Sequence, residues 1–228
     1  MKFISVTLLV FFISCVSAQD KKTFCPESSK DTFYVKIASY LNLHKGDTLA
    51  DIGSGFGYTM IRLGNYLPDV TFYEEDILIP PFPKLFYKSD IKKSCSVVDI
   101  HSFKFFEGSK TSTKFKDHFF NKVLIALSVH EFAYKEKMMF DVKRIMRNNA
   151  SLYILETFFK KEAPKEKNCK LPFMLKPDFL TMMANTGFEL VKEIPIADGD
   201  VSEDETNEHP EHDYTNMTAS FFEFRIKQ

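Results

Sequence analysis

The 228-residue chain predicts an α/β protein: a mostly parallel sheet with helices on both faces. Three observations carry this. Short apolar runs alternate with segments of helical period through most of the sequence. One such run, Thr48–Ile52, passes into a glycine-rich turn and then a helix. The last two apolar runs have no helical pattern between them, so they are expected to close the sheet as an antiparallel pair.

The elements follow in order. Residues 19–30 (QDKKTFCPESSK) are polar and read as a linker. From Asp31 the pattern turns helical, with Phe33, Ile37 and Leu41 on one face, and Lys45-Gly46-Asp47 ends it. Thr48–Ile52 is a strand, and Gly53 to Gly57 is a turn. Met60, Ile61, Leu63 and Leu67 mark a helix that Pro68 stops. Val70 to Glu74 is the next strand. Pro80, Pro81 and Pro83 break regular structure, and a Lys-rich helix is expected around 84–95. Phe103 to Phe106 and Val123 to Leu127 read as strands. A helix over 134–148 carries Met139, Val142, Ile145 and Met146 on one face, ended by Asn148-Asn149. Leu152 to Leu155 is a strand, Pro177 to Asn185 a helix stopped by Gly187, and Phe188–Ile194 and Phe221–Ile226 are the last strands.

Composition bounds the function. Lys and Arg number 30 against 31 Asp and Glu, so no overall positive charge grips nucleic acid. A chain of this length hides about 70% of its unfolded surface, enough for a proper core. Lys2 precedes an uncharged, mostly apolar run of 16 residues, Phe3 to Ala18. Spanning a bilayer takes roughly 20. The basic start, the short apolar run and the small residues Ser17 and Ala18 predict a signal peptide over residues 1–18, cut before Gln19. Export to a periplasm or secretion follows. A lipoprotein signal ending at Cys15 and an uncleaved anchor rank behind it. Cys25, Cys95 and Cys169 remain, with no CxxC spacing, so one disulfide is possible but neither a disulfide framework nor a zinc ribbon is. Asn149-Ala150-Ser151 and Asn216-Met217-Thr218 are glycosylation sequons, relevant in a eukaryotic host.

Two histidine-bearing segments need weighing. Asp198 to Asp213 holds eight carboxylates with His209 and His212. A metal set of Glu208, His209, Glu211, His212 and Asp213 is one reading. A solvated loop is preferred, because no regular element fixes those ligands; no metal is expected. His130-Glu131 begins an HExxH pattern, but position 134 is Tyr, so a zinc protease is excluded. There is no G-x-S-x-G elbow and no Walker loop.

The chemistry is concentrated in Leu49-Ala50-Asp51-Ile52-Gly53-Ser54-Gly55-Phe56-Gly57-Tyr58. Glycines let a backbone turn tightly and approach a ligand closely. The helix start beyond them favours polar or negative ligand groups. Glu74 and Glu75, 23 and 24 residues after Asp51, are spaced to hold ribose hydroxyls. A dinucleotide fingerprint would need Gly at position 58, which is Tyr, so a nicotinamide oxidoreductase is disfavoured.

With these residues the chain resembles the class I S-adenosylmethionine-dependent methyltransferases, especially their ubiquinone-biosynthesis-like branch. The resemblance runs from about Asp31 to the C-terminus. Its strongest stretch is Lys45 to Tyr58. Further matches are Phe120 to Phe132, Val142 to Glu156 with Asn148-Asn149 in place of a Pro-Gly-Gly turn, and Met183 to Glu189. The resemblance implies a Rossmann-like seven-stranded sheet over residues 31–228 with an antiparallel last strand. It implies S-adenosyl-L-methionine as cofactor and a small-molecule acceptor. Gly53, Ser54, Gly55 and Gly57 would lie under its methionine part, and Asp51 would place the amino group. Glu74 or Glu75 would take the ribose, and Ala126 and Leu127 would flank the sulfonium. Ser109 stands where an adenine-reading Asp is usual, Asn121 where an Asp begins the fourth strand, and the prolines disturb the helix after the second strand. His130 and Glu131 sit on the substrate side, where a histidine can take a proton from a hydroxyl or amine. The second reading is an exported binding protein that keeps the fold and a ligand pocket without turnover.

Overall fold

The computed structural model describes residues 29–67, 69–94, 96–160, 174–196 and 217–228. The expected signal peptide (1–18), residues 19–28 of the expected linker, the cysteines and the acidic stretch 198–213 lie outside the described residues.

Seven strands form one sheet: β1 (Thr48–Ile52), β2 (Thr71–Asp76), β3 (Phe103–Glu107), β4 (Phe120–Ala126), β5 (Met146–Phe159), β6 (Phe188–Ile196) and β7 (Met217–Ile226). Their spatial order is β3-β2-β1-β4-β5-β7-β6. The pairs from β3 across to β5 are parallel. β7 runs antiparallel to both β5 and β6. This is the Rossmann-like, mostly parallel α/β sheet that the sequence predicts. The α-helices among the described residues are α1 (Ser29–Leu41), α2 (Tyr58–Leu63), α3 (Pro83–Lys93), α4 (Lys135–Ile145) and α5 (Lys176–Asn185). None of the described helices is long and apolar enough to cross a membrane.

Strand alternation builds two cores, because successive side chains point to opposite faces. Leu49, Phe72, Phe103, Leu124, Tyr153 and Phe221 face one way and pack on Phe33, Ile37 and Leu41 of α1, Met60 and Leu63 of α2, and Tyr87 of α3. Ala50, Ile52, Val123, Ile125, Ile154 and Phe222 face the other way, onto Met139, Val142 and Ile145 of α4 and Phe179 and Met183 of α5. Each such buried Val, Leu, Ile, Phe or Met side chain contributes roughly 1.5–3 kcal/mol relative to exposure. A buried parallel sheet reads as continuous apolar runs for this reason.

Local expectations change at four places. α1 already starts at Ser29, inside the stretch read as linker. α2 stops at Leu63, capped by Gly64, instead of running to Pro68. Pro83 occupies the first turn of α3, where a missing N–H costs nothing, so the prolines start that helix instead of disturbing it. α4 stops at Ile145, and Asn148-Asn149 lie inside a 14-residue β5. Met146 is buried and pairs with Phe120, which draws the chain straight from helix into strand.

Candidate cofactor and acceptor site

The C-terminal ends of β1, β2 and β4 meet at the glycine turn. Gly53 and Ser54 both donate their N–H groups to Glu75 O, at 2.8 and 2.9 Å, which continues the β1–β2 ladder past Ile52. Gly55 then takes φ +54°, and the Gly57 φ is +74°. A Cβ on Gly57 would lie 2.1 Å from the Tyr87 ring, so this position needs both the left-handed backbone and the missing side chain. A Cβ on Gly55 would meet nothing within 4 Å. That glycine faces open space where a ligand can approach the backbone.

Four acids gather here. Asp51 and Glu74 are register partners on adjacent strands, on the face that carries α1–α3. Glu74 Oε2 accepts the Tyr87 hydroxyl at 3.0 Å. Glu75 points to the opposite face. Its Oε1 packs against Gly108, where a Cβ would stand 1.6 Å away. Asp76 is half-buried and reaches back over the turn: Oδ2 accepts Gly55 N–H at 3.0 Å and Oδ1 accepts Leu78 N–H at 2.9 Å.

Asp51, Glu74 and Glu75 are each at most 2% exposed. Burial opposes ionisation, and the neighbouring carboxylates add to it. Burial and then Asp76 push Asp51 up to about 7. Burial and then Asp51 raise Glu74 well above its ordinary range, against the pull of the Tyr87 hydrogen bond. Burial and then Asp76 push Glu75 up to about 8. Asp51 Oδ1, Ser54 Oγ, Glu74 Oε1 and Glu75 Oε1 are buried with no hydrogen-bond partner among the described residues. Buried polar atoms are rarely left so, and each unpaired one calls for a partner such as a water, an ion or a ligand, or for a catalytic role.

The loop after β4 closes over the turn. Ala126 ends β4, and Leu127 takes φ +57°, uncommon for a side chain of its size, while its N–H donates to Leu155 O at 2.8 Å. Ser128 Oγ lies 2.7 Å from Gly53 O. A Cβ on Gly53 would meet Ser128 Cβ at 2.8 Å and the Phe132 ring at 3.1 Å. His130 lies between Ser128 and Phe132 in the chain, in a 3-10 turn over Val129–Glu131. Its Nδ1 lies 2.9 Å from Glu156 Oε1 on β5. Glu131 Oε1 is 4.0 Å from His130 Nε2, and its side chain is 70% exposed.

The structure therefore brings Asp51, Gly53, Ser54, Gly55, Gly57, Glu74 and Glu75 together, with Ala126, Leu127 and His130 on the loop beside them. Ser109 follows β3, but its hydroxyl donates to Ser112 O at 3.1 Å within its own turn. Sequence reasoning missed Asp76, Tyr87, Ser128 and Glu156. Asp76 adjoins the two acids that the spacing selects. Ser128 adjoins Leu127, whereas Tyr87 and Glu156 are joined to the site only by folding, and no linear signal marks those two. An open groove of about 550 Å³ between the start of α4 and α5, lined by Tyr134, Met174, Asp178 and Met182 among others, shares no residue with the glycine turn.

No protein-family model matches the sequence, and no curated protein does. Solved structures do match. The [4+2]-cyclase SpnF superposes with a TM-score of 0.66 at 14% identity, covering 86% of this chain and 80% of that one. A SAM-dependent methyltransferase from Aquifex aeolicus gives a TM-score of 0.57 at 14% identity, with 83% and 88% covered. A geranyl diphosphate methyltransferase in complex with SAM gives 0.63 at 10% identity, with 86% and 85% covered. The chain shares the fold of these proteins. At such identities the likeness is one of fold, and a cyclase among them shows that the fold carries more than one activity.

Proposed function

We propose that the protein is an S-adenosylmethionine-dependent methyltransferase that transfers a methyl group to a small-molecule acceptor. The observation that carries this reading is the set of unpaired buried oxygens, led by Asp51 Oδ1 and Ser54 Oγ, beside an open Gly55 backbone. Carboxylates without a cation suit a ligand that brings an ammonium and a sulfonium. The residues present thus fit S-adenosylmethionine. When bound, it supplies an electrophilic methyl on a sulfonium; the chemistry is the cofactor's, and the protein supplies orientation.

This chain's residues would divide the binding. Asp51 and Ser54 meet the amino-acid end, with the Gly53–Gly57 backbone beneath it. Ribose hydroxyls go to the end of β2. Glu74 is tied to Tyr87 and Glu75 faces Gly108, so Asp76, half-buried over Gly55, is the acid best placed for them. Ala126 and Leu127 flank the methyl side, and Ser128 and Phe132 hold that loop on the turn. Proximity then supplies much of the acceleration. The N-terminal run Phe3–Ala18 supports an exported protein, and the resemblance of residues 31–228 supports a single domain of the ubiquinone-biosynthesis-like kind.

The test is retention of radiolabelled S-adenosylmethionine by the full chain, with and without excess S-adenosylhomocysteine. Label displaced by the competitor supports the reading, and no retained label overturns it. One observation favours the second reading, a ligand-binding protein without turnover: Ser109 spends its hydroxyl on its own turn, which leaves the adenine edge without its usual acid. A tightly bound nucleoside with no transfer to any acceptor distinguishes it.

A further inference from the structure

We propose that the connection from β2 into α3 is a docking surface for an anionic lipid bilayer: Phe82, Leu85 and Phe86 enter the acyl boundary, and the lysines of α3 meet the headgroups. The proposal goes beyond the methyltransferase reading and stands without it. Phe82 is 75% exposed and Leu85 64%, and Phe86 and Leu78 on the same connection are exposed as well. Single apolar side chains on a surface are ordinary, but neighbouring ones mark an interaction site. Exposures this high belong to side chains that stand out from the surface and do not line a groove.

Phe82 is also strained. It takes φ +59° and ψ +51°, a left-handed backbone that bulky residues avoid. Pro83 adds to the strain, because a proline pushes the residue before it toward extended backbone. The Leu85 N–H donates to Phe82 O at 2.9 Å and holds the strained geometry. An aromatic ring fixed on such a backbone and turned to solvent contributes little to the fold. Strain of this kind gathers where a ligand is met.

Charge selects the occupant. α3 carries four Lys against one Asp, in a chain of net charge -1. Lys84, Lys88 and Lys92 recur every fourth residue and so form a row along the helix. All three are exposed and have no ion pair among the described residues, whereas Lys93 pairs with Asp90 at 3.3 Å. Tyr87 is buried against the sheet, which turns Leu85, Lys88 and Lys92 outward. Apolar tips beside lysines are the pattern of an interfacial segment, because the lysine stems lie along apolar surface while the ammonium groups stay in water. Other occupants fit less well. The apolar run Phe3–Ala18 comes with Lys2 and no acid to meet the lysines. A second copy paired about a two-fold axis would set lysines against lysines.

The chain has no Trp, so Phe82→Trp in the full chain carries a single tryptophan at the tip. Leu85→Trp is a second reporter. Phe140→Trp, at an exposed site of α4 on the opposite face of the sheet, is the control. Each variant is mixed with vesicles of phosphatidylglycerol or of phosphatidylcholine, both with brominated acyl chains, and association is measured by flotation. With phosphatidylglycerol, the Phe82→Trp and Leu85→Trp emissions are expected to move to the blue and to be quenched, and that of Phe140→Trp to do neither. Lys84→Gln, Lys88→Gln and Lys92→Gln combined should weaken this binding by about tenfold or more, since each Lys near an anionic surface is worth about fivefold. Flotation with both tip reporters unquenched means that the chain adheres elsewhere, as through Phe3–Ala18, and overturns the proposal. No flotation, equal quenching of Phe140→Trp, equal quenching on phosphatidylcholine, or unchanged binding in the lysine variant overturns it too. So does a blue emission of Phe82→Trp without vesicles, which means that protein covers the ring: a second copy if dilution reverses it, this chain's own segment if not. None of these outcomes bears on the cofactor reading.

Discussion

Asp76 Oδ2 accepts the Gly55 N–H at 3.0 Å, which fastens the end of β2 to a glycine of the turn that faces open space. The carboxylate keeps further lone pairs for a ligand, since each of its oxygens accepts a single N–H from the described residues. Its neighbours Glu74 and Glu75 are held inside the two layers instead. Asp76→Asn keeps one acceptor oxygen, which can serve Gly55 at the expense of the Leu78 N–H, and loses charge-assisted bonds to ribose, worth roughly 1.5–3 kcal/mol each. The expected result is a loss of S-adenosylhomocysteine affinity of about tenfold or more. Glu74→Gln should lose less. Equal affinity in Asp76→Asn and the wild type, read by calorimetry, contradicts the ribose assignment.

Gly55→Arg should abolish cofactor binding while the chain stays folded. Its Cβ clashes with nothing in the protein, so the cost is the left-handed backbone alone, about 1–2 kcal/mol. Urea unfolding and cofactor titration of the same sample separate the two effects. An unchanged affinity would remove the turn from the site.

Gly57→Ala should behave in the opposite way. The added Cβ meets the Tyr87 ring as well as a φ of +74°. Overpacking of this kind costs about 1–3 kcal/mol beyond the backbone strain. Gly57→Ala is therefore expected to lower stability more than Gly55→Ala. The reverse order in urea midpoints would mean that Tyr87 does not pack on the turn.

Stability without ligand should fall as pH rises. Glu75 ionises near 4.5 when exposed and at about 8 in the fold, so between those values the folded state holds the extra proton. Stability then declines with pH, by up to about 1.4 kcal/mol per unit for each proton so linked. Below about 4.5 the contribution is fully present, and it is lost as pH rises through about 8. Glu75→Gln should flatten the slope of unfolding free energy between those two values. A slope as steep as the wild type's would contradict the burial account.

A cationic ligand favours the ionised acids, so binding near neutral pH should release protons. Calorimetric titrations in buffers of different ionisation enthalpy read this directly. An equal heat in every buffer, or proton uptake, would show that Asp51 does not meet the ligand's positive charge.

The fold is legible in the sequence because its signals are local or periodic. Leu49 to Ile52 is a buried run, Phe33, Ile37 and Leu41 mark a helix face, and Gly53 to Gly57 announce the turn between strand and helix. The errors have physical causes too. Asn148-Asn149 has the composition of a turn, but the pairing of Met146 with Phe120 overrides local preference. The glycine turn and the acids after it are also legible, because both lie on one strand–turn–helix–strand unit. The His130–Glu156 pair is not. One lies on the loop after β4 and the other on β5, 26 residues away, and only the parallel β4–β5 register brings them within 2.9 Å. Tyr87 over Gly57 is equally invisible, since it depends on how α3 packs.

The central claim is that the glycine turn and its acids hold S-adenosylmethionine. Calorimetric titration of the full chain with S-adenosylmethionine and S-adenosylhomocysteine, with NAD as control, tests it most directly. The account predicts micromolar binding of the first two and none of NAD. Absence of binding by either of the first two would contradict it and leave a fold without its expected cofactor.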